Sequence, residues 1–211
     1  MGSTASSSMS SYLSLKLDLL KAQKLVDFLL AWLKSANPRH ILVMFQNPSE
    51  IRPAGGFFGS YADMQIQGGN IESFDIRDIN DSDKELKLKT IPPKPLQVIV
   101  KNWRAADANW FFDFSESASA VIYAMESSAL YADRKILFDG AVAISPKIIE
   151  DILEIIGPVT IGKVTFTSEN FLEEVQKIVQ AGQATNATYP KGILKELGAG
   201  IFGKFTSSTE S

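Results

Sequence analysis

Phe138-Asp139-Gly140-Ala141-Val142-Ala143-Ile144-Ser145-Pro146 decides the fold class. An uninterrupted apolar run ends at a serine, a residue that caps helices, and a proline follows at the first helical position, where its missing N–H is no loss. Apolar residues then recur at helical spacing to Ile156, and Gly157-Pro158 stops the helix. Strand, cap and helix in this order are the unit of a layered α/β domain. A run of the same kind, Ile41-Leu42-Val43-Met44-Phe45, follows the break at Asn37-Pro38. Continuous apolar runs suit strands covered on both faces, so both runs read as buried strands.

Outward from these two runs the chain supplies partners. Phe57 to Gln67 reads as a strand, and Gly68-Gly69-Asn70 turns it onto Ile71 to Ile76. Arg77 to Pro95 is polar, charged and proline-bearing, and reads as a long surface loop that covers a site. Leu96 to Val100 fits either helix or strand. Asp113 and Glu116 have capping-box spacing ahead of Ala118, Val121, Ile122 and Met125, which predicts a helix from Ser115 to Ala132. Val159 to Phe166 alternates as one strand, a helix runs from Thr167-Ser168 to Ala181, and Lys191 to Phe202 forms a last one.

The N-terminus divides in two. Residues 1–11 are low in complexity and read as a flexible leader or tag. Residues 12–36 carry leucines interleaved with lysines and read as an amphipathic helix, packed on its own domain or lying on a membrane surface. Five charged side chains between Lys16 and Asp27 exclude a membrane span there, although an anchor could lie upstream. Residues 37–205 form the α/β domain, and 206–211 read as a flexible tail. The fold class is therefore α/β: a layered mixed sheet flanked by helices, a single domain with an N-terminal amphipathic helix.

Composition narrows the function. A chain of 211 residues with 45% hydrophobic and 21% charged residues has room for one ordinary core. A net charge of −3 gives no general attraction to nucleic acid. Without cysteine there is neither a thiolate nucleophile nor cysteine-held zinc, and the single histidine, His40, leaves no set of imidazoles for a metal. The glycine-bearing stretch from Asn47 to Tyr61 is neither a Walker A motif, which needs Gly-Lys-Ser/Thr, nor a Gly-x-Gly-x-x-Gly fingerprint.

Two segments carry candidate chemistry. In Glu50-Ile51-Arg52-Pro53-Ala54-Gly55-Gly56, paired glycines allow backbone to approach a ligand, and the Arg52 guanidinium can grip two oxygens of a phosphate. The plain alternative is a tight strand-entry turn in which an acid pairs with Arg52. The second segment, Asn102 to Asp113, holds Arg104, Asp107, Asn109 and Asp113 just ahead of a helix start that favours anions. Asp107 could hold a divalent cation, with Mg²⁺ as the expected cofactor, or accept a proton. Its alternative is also structural: Asp113 caps the helix, and Arg104 pairs with Asp107.

The same segments resemble a known family. Phe45-Gln46-Asn47, Glu50 to Tyr61, Asp107 to Phe114, Phe138 to Pro146 and Gly157-Pro158-Val159 look like the bacterial domain-of-unknown-function family 4012 (DUF4012) over residues 38–175. There is a more distant similarity to the LytR-CpsA-Psr phosphotransferases, envelope enzymes that move glycopolymers from polyprenyl pyrophosphate. Arg52, Asn109 and Gly157-Pro158-Val159 stand in comparable places, while Arg52-Pro53-Ala54-Gly55 replaces that family's Arg-Ser-Asp-Thr.

These resemblances imply an extracytoplasmic, membrane-anchored envelope protein whose partner is a polyprenyl pyrophosphate glycan or a cell-wall glycan. In that expectation Asp107, Arg52 and Arg104 are catalytic, and Arg52, Gly55, Gly56, Arg104, Asn109 and Asp113 bind ligand. Asp107 is the metal ligand. A non-catalytic module that binds glycan or protein through Trp103, Trp110, Phe112 and the 77–95 loop is the alternative, and a cytoplasmic enzyme a third.

Overall fold

A computed structural model describes residues 2–87, 89–184 and 192–208, with backbone alone for 2–10, 183–184 and 205–208. The chain forms two compact units: Met1–Arg39 with Ile66–Glu72, and His40–Gln65 with Ser73–Ser211.

In the first unit, α1 spans Gly2–Leu33, so helix extends through the stretch read as a leader; Met1 lies outside the described residues. Its apolar residues do not gather on one stripe. Phe28, Leu29 and Leu30 are all exposed, and successive residues on a helix point about 100° apart. Among the described residues no helix is long and apolar enough to cross a membrane.

The second unit holds most of a four-stranded sheet in the order β3-β2-β1-β4, where β1 is Arg39–Asn47, β2 Phe57–Gln67, β3 Asn70–Asp78 and β4 Gly140–Ile144. Ile41 to Met44 are buried as expected, with Leu42 and Met44 fully enclosed, while Phe45 is half-buried. The run pairs in parallel with β4, from Ile41 opposite Gly140 to Phe45 opposite Ile144. However, β4 is an edge strand, and Val142 is 45% exposed. Its apolar run reflects partial cover rather than burial on both faces.

The 77–95 stretch contains α2, Ile79–Lys84, where a continuous loop is the sequence expectation. Asp78 caps it by accepting from Asn80 N, and Ile79 and Ser82 are its buried face. Lys94–Val98 resolves the ambiguous run as a 3₁₀ turn.

The helix predicted over 115–132 is two: α3, Phe114–Glu126, and α4, Ala129–Ala132. The break has a cause, since the Ser128 hydroxyl donates to Ser82 O and Ala129 N to Glu85 O, tying this point to α2. After β4 come α5, Pro146–Ile156, then β5, Val159–Ile161, and β6, Val164–Phe166. Gly162, at φ +60°, folds the predicted single strand into this antiparallel hairpin. Two helices complete the unit, α6, Phe171–Ala184, and α7, Gly192–Ser208; residues 185–191 and 209–211, which include Lys191 and the end of the predicted tail, lie outside the described residues.

The unit has two cores. Leu42, Met44, Phe58, Ile79, Val121, Met125 and Phe138 surround Tyr61 and Tyr131. The Tyr131 hydroxyl donates to that of Tyr61 at 2.9 Å. Burial pushes the Tyr61 phenol up to about 12 and that of Tyr131 higher still, so both stay neutral as hydrogen-bonding groups. Leu153, Val159, Phe166, Phe171 and Leu197 form the other core around the hairpin.

Candidate functional site

The loop before β2 is shaped by its own backbone. Gly55 N donates to Arg52 O at 3.1 Å, Phe57 N donates to Glu50 O at 2.8 Å, and the Gln46 amide donates to Ala54 O at 2.9 Å. Gly55 and Gly56 take φ of +107° and +135°, which side-chain-bearing residues rarely adopt. The Gly55 amide is therefore engaged inside the turn, although the sequence assigns it to a ligand.

This turn delivers Arg52 onto the face of Phe57, with Cζ 5.1 Å from the ring centroid. Its Nη2 lies 3.8 Å from Asp107 Oδ1. From the other segment, Arg104 donates to Asp107 Oδ2 through Nε at 3.0 Å and Nη2 at 2.7 Å. Two guanidinium groups from separate loops thus converge on one carboxylate, which sits in the short 3₁₀ turn Ala105–Asp107 and is only 5% exposed. Trp103 Nε1 closes the turn by donating to Asp107 O at 3.0 Å.

The remaining candidates have structural engagements. Asn109 is fully buried and its amide donates to Gly56 O at 2.8 Å, clamping the two loops together. Asp113 accepts from Glu116 N at 3.0 Å as the cap of α3. The two arginines and Asp107 are brought together in the ion pairing that is the plain alternative for both segments, and Asp113 is the helix cap that alternative makes it. The donor set around Asp107 does not suit a divalent cation: both oxygens face guanidinium groups, whose charge repels one. Among the described residues no three or more His, Asp or Glu side chains gather where they could share a metal ion.

Asp83 belongs to this cluster and was hidden in the sequence. It lies on α2, and its Oδ1 accepts from Ala105 N at 2.8 Å, so it supports the turn that carries Asp107. Burial raises its carboxyl from 3.8 to about 6, against the lowering pull of the Ala105 and Ala106 amides and Arg104; Asp107 adds to the rise. The signal that could reveal it is Asp78-Ile79-Asn80-Asp81-Ser82, a helix-capping aspartate ahead of apolar spacing. Among the described residues, four buried side-chain atoms lack a hydrogen-bond partner in the protein: Arg52 Nε, Ser82 Oγ, Asp83 Oδ2 and Asn109 Oδ1. Such atoms are scarce in native proteins, and these belong to the two loops and the helix α2 that braces them.

Asp83 also predicts a pH effect. A carboxyl whose folded value is raised favours folding when protonated, so its contribution is full below the unfolded value near 3.8 and is lost as pH rises through about 6. Asp83→Asn should therefore gain about 1–2 kcal/mol over the wild type near pH 7.5 and almost nothing near pH 4, read from urea unfolding.

Beside the arginine cluster lies a cleft of ≈ 590 Å³ at the carboxyl ends of β1 and β4. Phe45, Phe57, Ile144, Phe171 and Val175 give it an apolar side, while Gln46, Asn47, Glu50, Asn80, Gln176 and Gln180 make the rest of the lining polar. Phe57 therefore carries Arg52 on its ring and also lines the cleft.

Fold and site together define an α/β domain with an arginine-clamped carboxylate near a cleft of mixed apolar and polar lining. Residues 36–179 match the protein family of unknown function DUF4012, and the chain belongs to that family. Comparison with curated proteins gives no match. The crystal structure of the transcriptional regulator yvhJ from Bacillus subtilis is similar at 14% identity, over 66% of this chain and 55% of that one, with a TM-score of 0.41. The chain thus spans little more than half of that structure, and a likeness of this size carries no argument about function.

Proposed function

We propose that this domain binds an amphiphilic phosphate, with the hydrocarbon chain along the apolar side of the cleft and the phosphate or pyrophosphate at Arg52 and Arg104. Polyprenyl-pyrophosphate-linked glycans, presented at the outer face of a bacterial membrane, are the ligand class. The observation that carries this reading is the convergence of two guanidinium groups on one carboxylate, with Arg52 stacked on a cleft-lining ring. Arg52 and Arg104 face Asp107, and above about pH 6 Arg104 also faces an ionised Asp83, so attraction for an anion rests on the directed guanidinium donors, which suit phosphate oxygens. Ligands of open α/β sheets bind outside the carboxyl ends of strands, where this cleft lies. Asp107 then orders both arginines rather than acting as a base. Transfer of a bound pyrophosphate, as the LytR-CpsA-Psr resemblance suggests, would rest on positioning and charge neutralisation.

Titration of the protein with farnesyl pyrophosphate, farnesol and inorganic pyrophosphate tests this. Farnesyl pyrophosphate should bind best, and Arg52→Ala should weaken it by about tenfold to a hundredfold, the size of one or two charged hydrogen bonds. Equal affinity in the variant, or equal affinity for farnesol, refutes the reading. A second reading, a non-catalytic module for glycan or protein, draws on Phe112, 90% exposed, and Val98, 87% exposed. Phe112→Ala should then abolish glycan retention while leaving farnesyl pyrophosphate affinity untouched.

A further inference from the structure

A smaller pocket of ≈ 280 Å³ is lined by Asp83, Leu86, Lys89, Val100, Lys101, Asn102 and Arg104. None of these residues lines the larger cleft. Three side chains here are cationic, one is an amide donor, and one is a carboxylate.

We propose that this pocket is a second anion site, built for a small phosphate-type dianion. Three cations against Asp83 give an excess of positive charge even with Arg104 shared by Asp107. Lysine ammonium groups act as mobile point charges, and a guanidinium edge and an amide add directed donors. Together they match a ligand with three terminal oxygens better than a carboxylate with two. The buried Asp83 Oδ2 has no partner in the protein, while Oδ1 is held by Ala105 N. The charged groups acting on Asp83 are Arg104, just ahead of the 3₁₀ turn, and Asp107 within it, and Lys89 and Lys101 line the same pocket. On α2 itself, Lys84 and Asp81 pair with each other. With Asp83 rising to about 6, the pocket loses its one negative charge in mild acid and should hold an anion more tightly there. This site needs neither the cleft nor Arg52.

Calorimetric titration with inorganic phosphate, with acetate as comparison, tests the site. Lys89→Ala and Lys101→Ala change exposed side chains and should leave the fold intact. Each should weaken phosphate by about tenfold, the loss of one charged contact of about 1.4 kcal/mol. Sulfate, which keeps both charges through mild acid, isolates the protein's own titration. Its affinity should rise about tenfold from about pH 8 to about pH 5.5, the change linked to a one-unit shift of Asp83, and Asp83→Asn should flatten the profile. Farnesyl pyrophosphate affinity should survive both lysine substitutions, which separates this site from the cleft. Failure of phosphate to bind, binding indifferent to both lysines, acetate binding as tightly, or a flat sulfate profile in the wild type overturns the assignment.

Discussion

Gly56→Ala should lower stability by about 3 kcal/mol or more, enough to leave much of the protein unfolded at modest urea. At φ +135° an L side chain is strained whatever the space around it, and here there is none. A Cβ would lie 2.7 Å from Asn47 C and 3.0 Å from Pro48 Cα, and closest of all to the Asn47 carbonyl oxygen. These are backbone atoms that cannot rotate away. Nor can Gly56 shift freely, because its carbonyl accepts the buried Asn109 amide. Gly55→Ala should cost less, since its Cβ meets the flexible end of Gln46, Oε1 at 2.8 Å. Gly69→Ala, at φ +88° with nothing within 4 Å, should cost only about 1 kcal/mol of backbone strain. Urea unfolding of the three variants gives the ranking. Gly56→Ala within about 1 kcal/mol of wild type would show that the loop relaxes and does not fix the arginine.

That ranking bears on what the sequence made readable. Local signals carried the elements: the 41–45 run, the Gly68-Gly69 turn, the Asp113 cap and the Ser145-Pro146 helix start all lie where propensity alone puts them. Errors arose where distant contacts decide. The break between α3 and α4 depends on hydrogen bonds from Ser128 and Ala129 to α2, and α2 was itself obscured by the charge of its surroundings. The edge position of β4 is a property of sheet order, which an apolar run does not encode. Gly162 falls inside the run that alternates as one strand, yet its positive φ makes it the corner of a hairpin.

The site was legible in its residue types and not in its bonding. Arg52, Arg104 and Asp107 stood out as charges beside glycine and aromatic residues, and they do meet. What spacing could not show is that Asp107 is shared between them, or that Asn109 binds the other loop's backbone rather than facing outward. Asp83 stayed invisible because its importance comes from burial against Ala105, a contact between segments with no periodic relation. Such convergence belongs to tertiary structure, so pairings of this kind need coordinates.

Removing Arg104 should cost more than removing the whole ion pair. Asp107 is 5% exposed, whereas the Arg104 side chain is 39% exposed, so the two partners are not equivalent. Arg104→Leu leaves a buried carboxylate with only Arg52, 3.8 Å away, as counter-charge, and an uncompensated buried charge is strongly destabilising. The cost should be about 2–4 kcal/mol, toward the lower end because Arg52 can move closer. Adding Asp107→Leu removes the charge itself, and the turn keeps its backbone bond from Trp103 Nε1 to Asp107 O. The double variant should therefore recover about 1–2 kcal/mol of the loss, a coupling that a double-mutant cycle in urea reads directly. Simple addition of the two single costs would mean that the pair is a surface contact of little weight. Recovery of stability with loss of farnesyl pyrophosphate binding would instead show why a domain keeps two arginines on one acid: the carboxylate holds in place the charges that a phosphate needs.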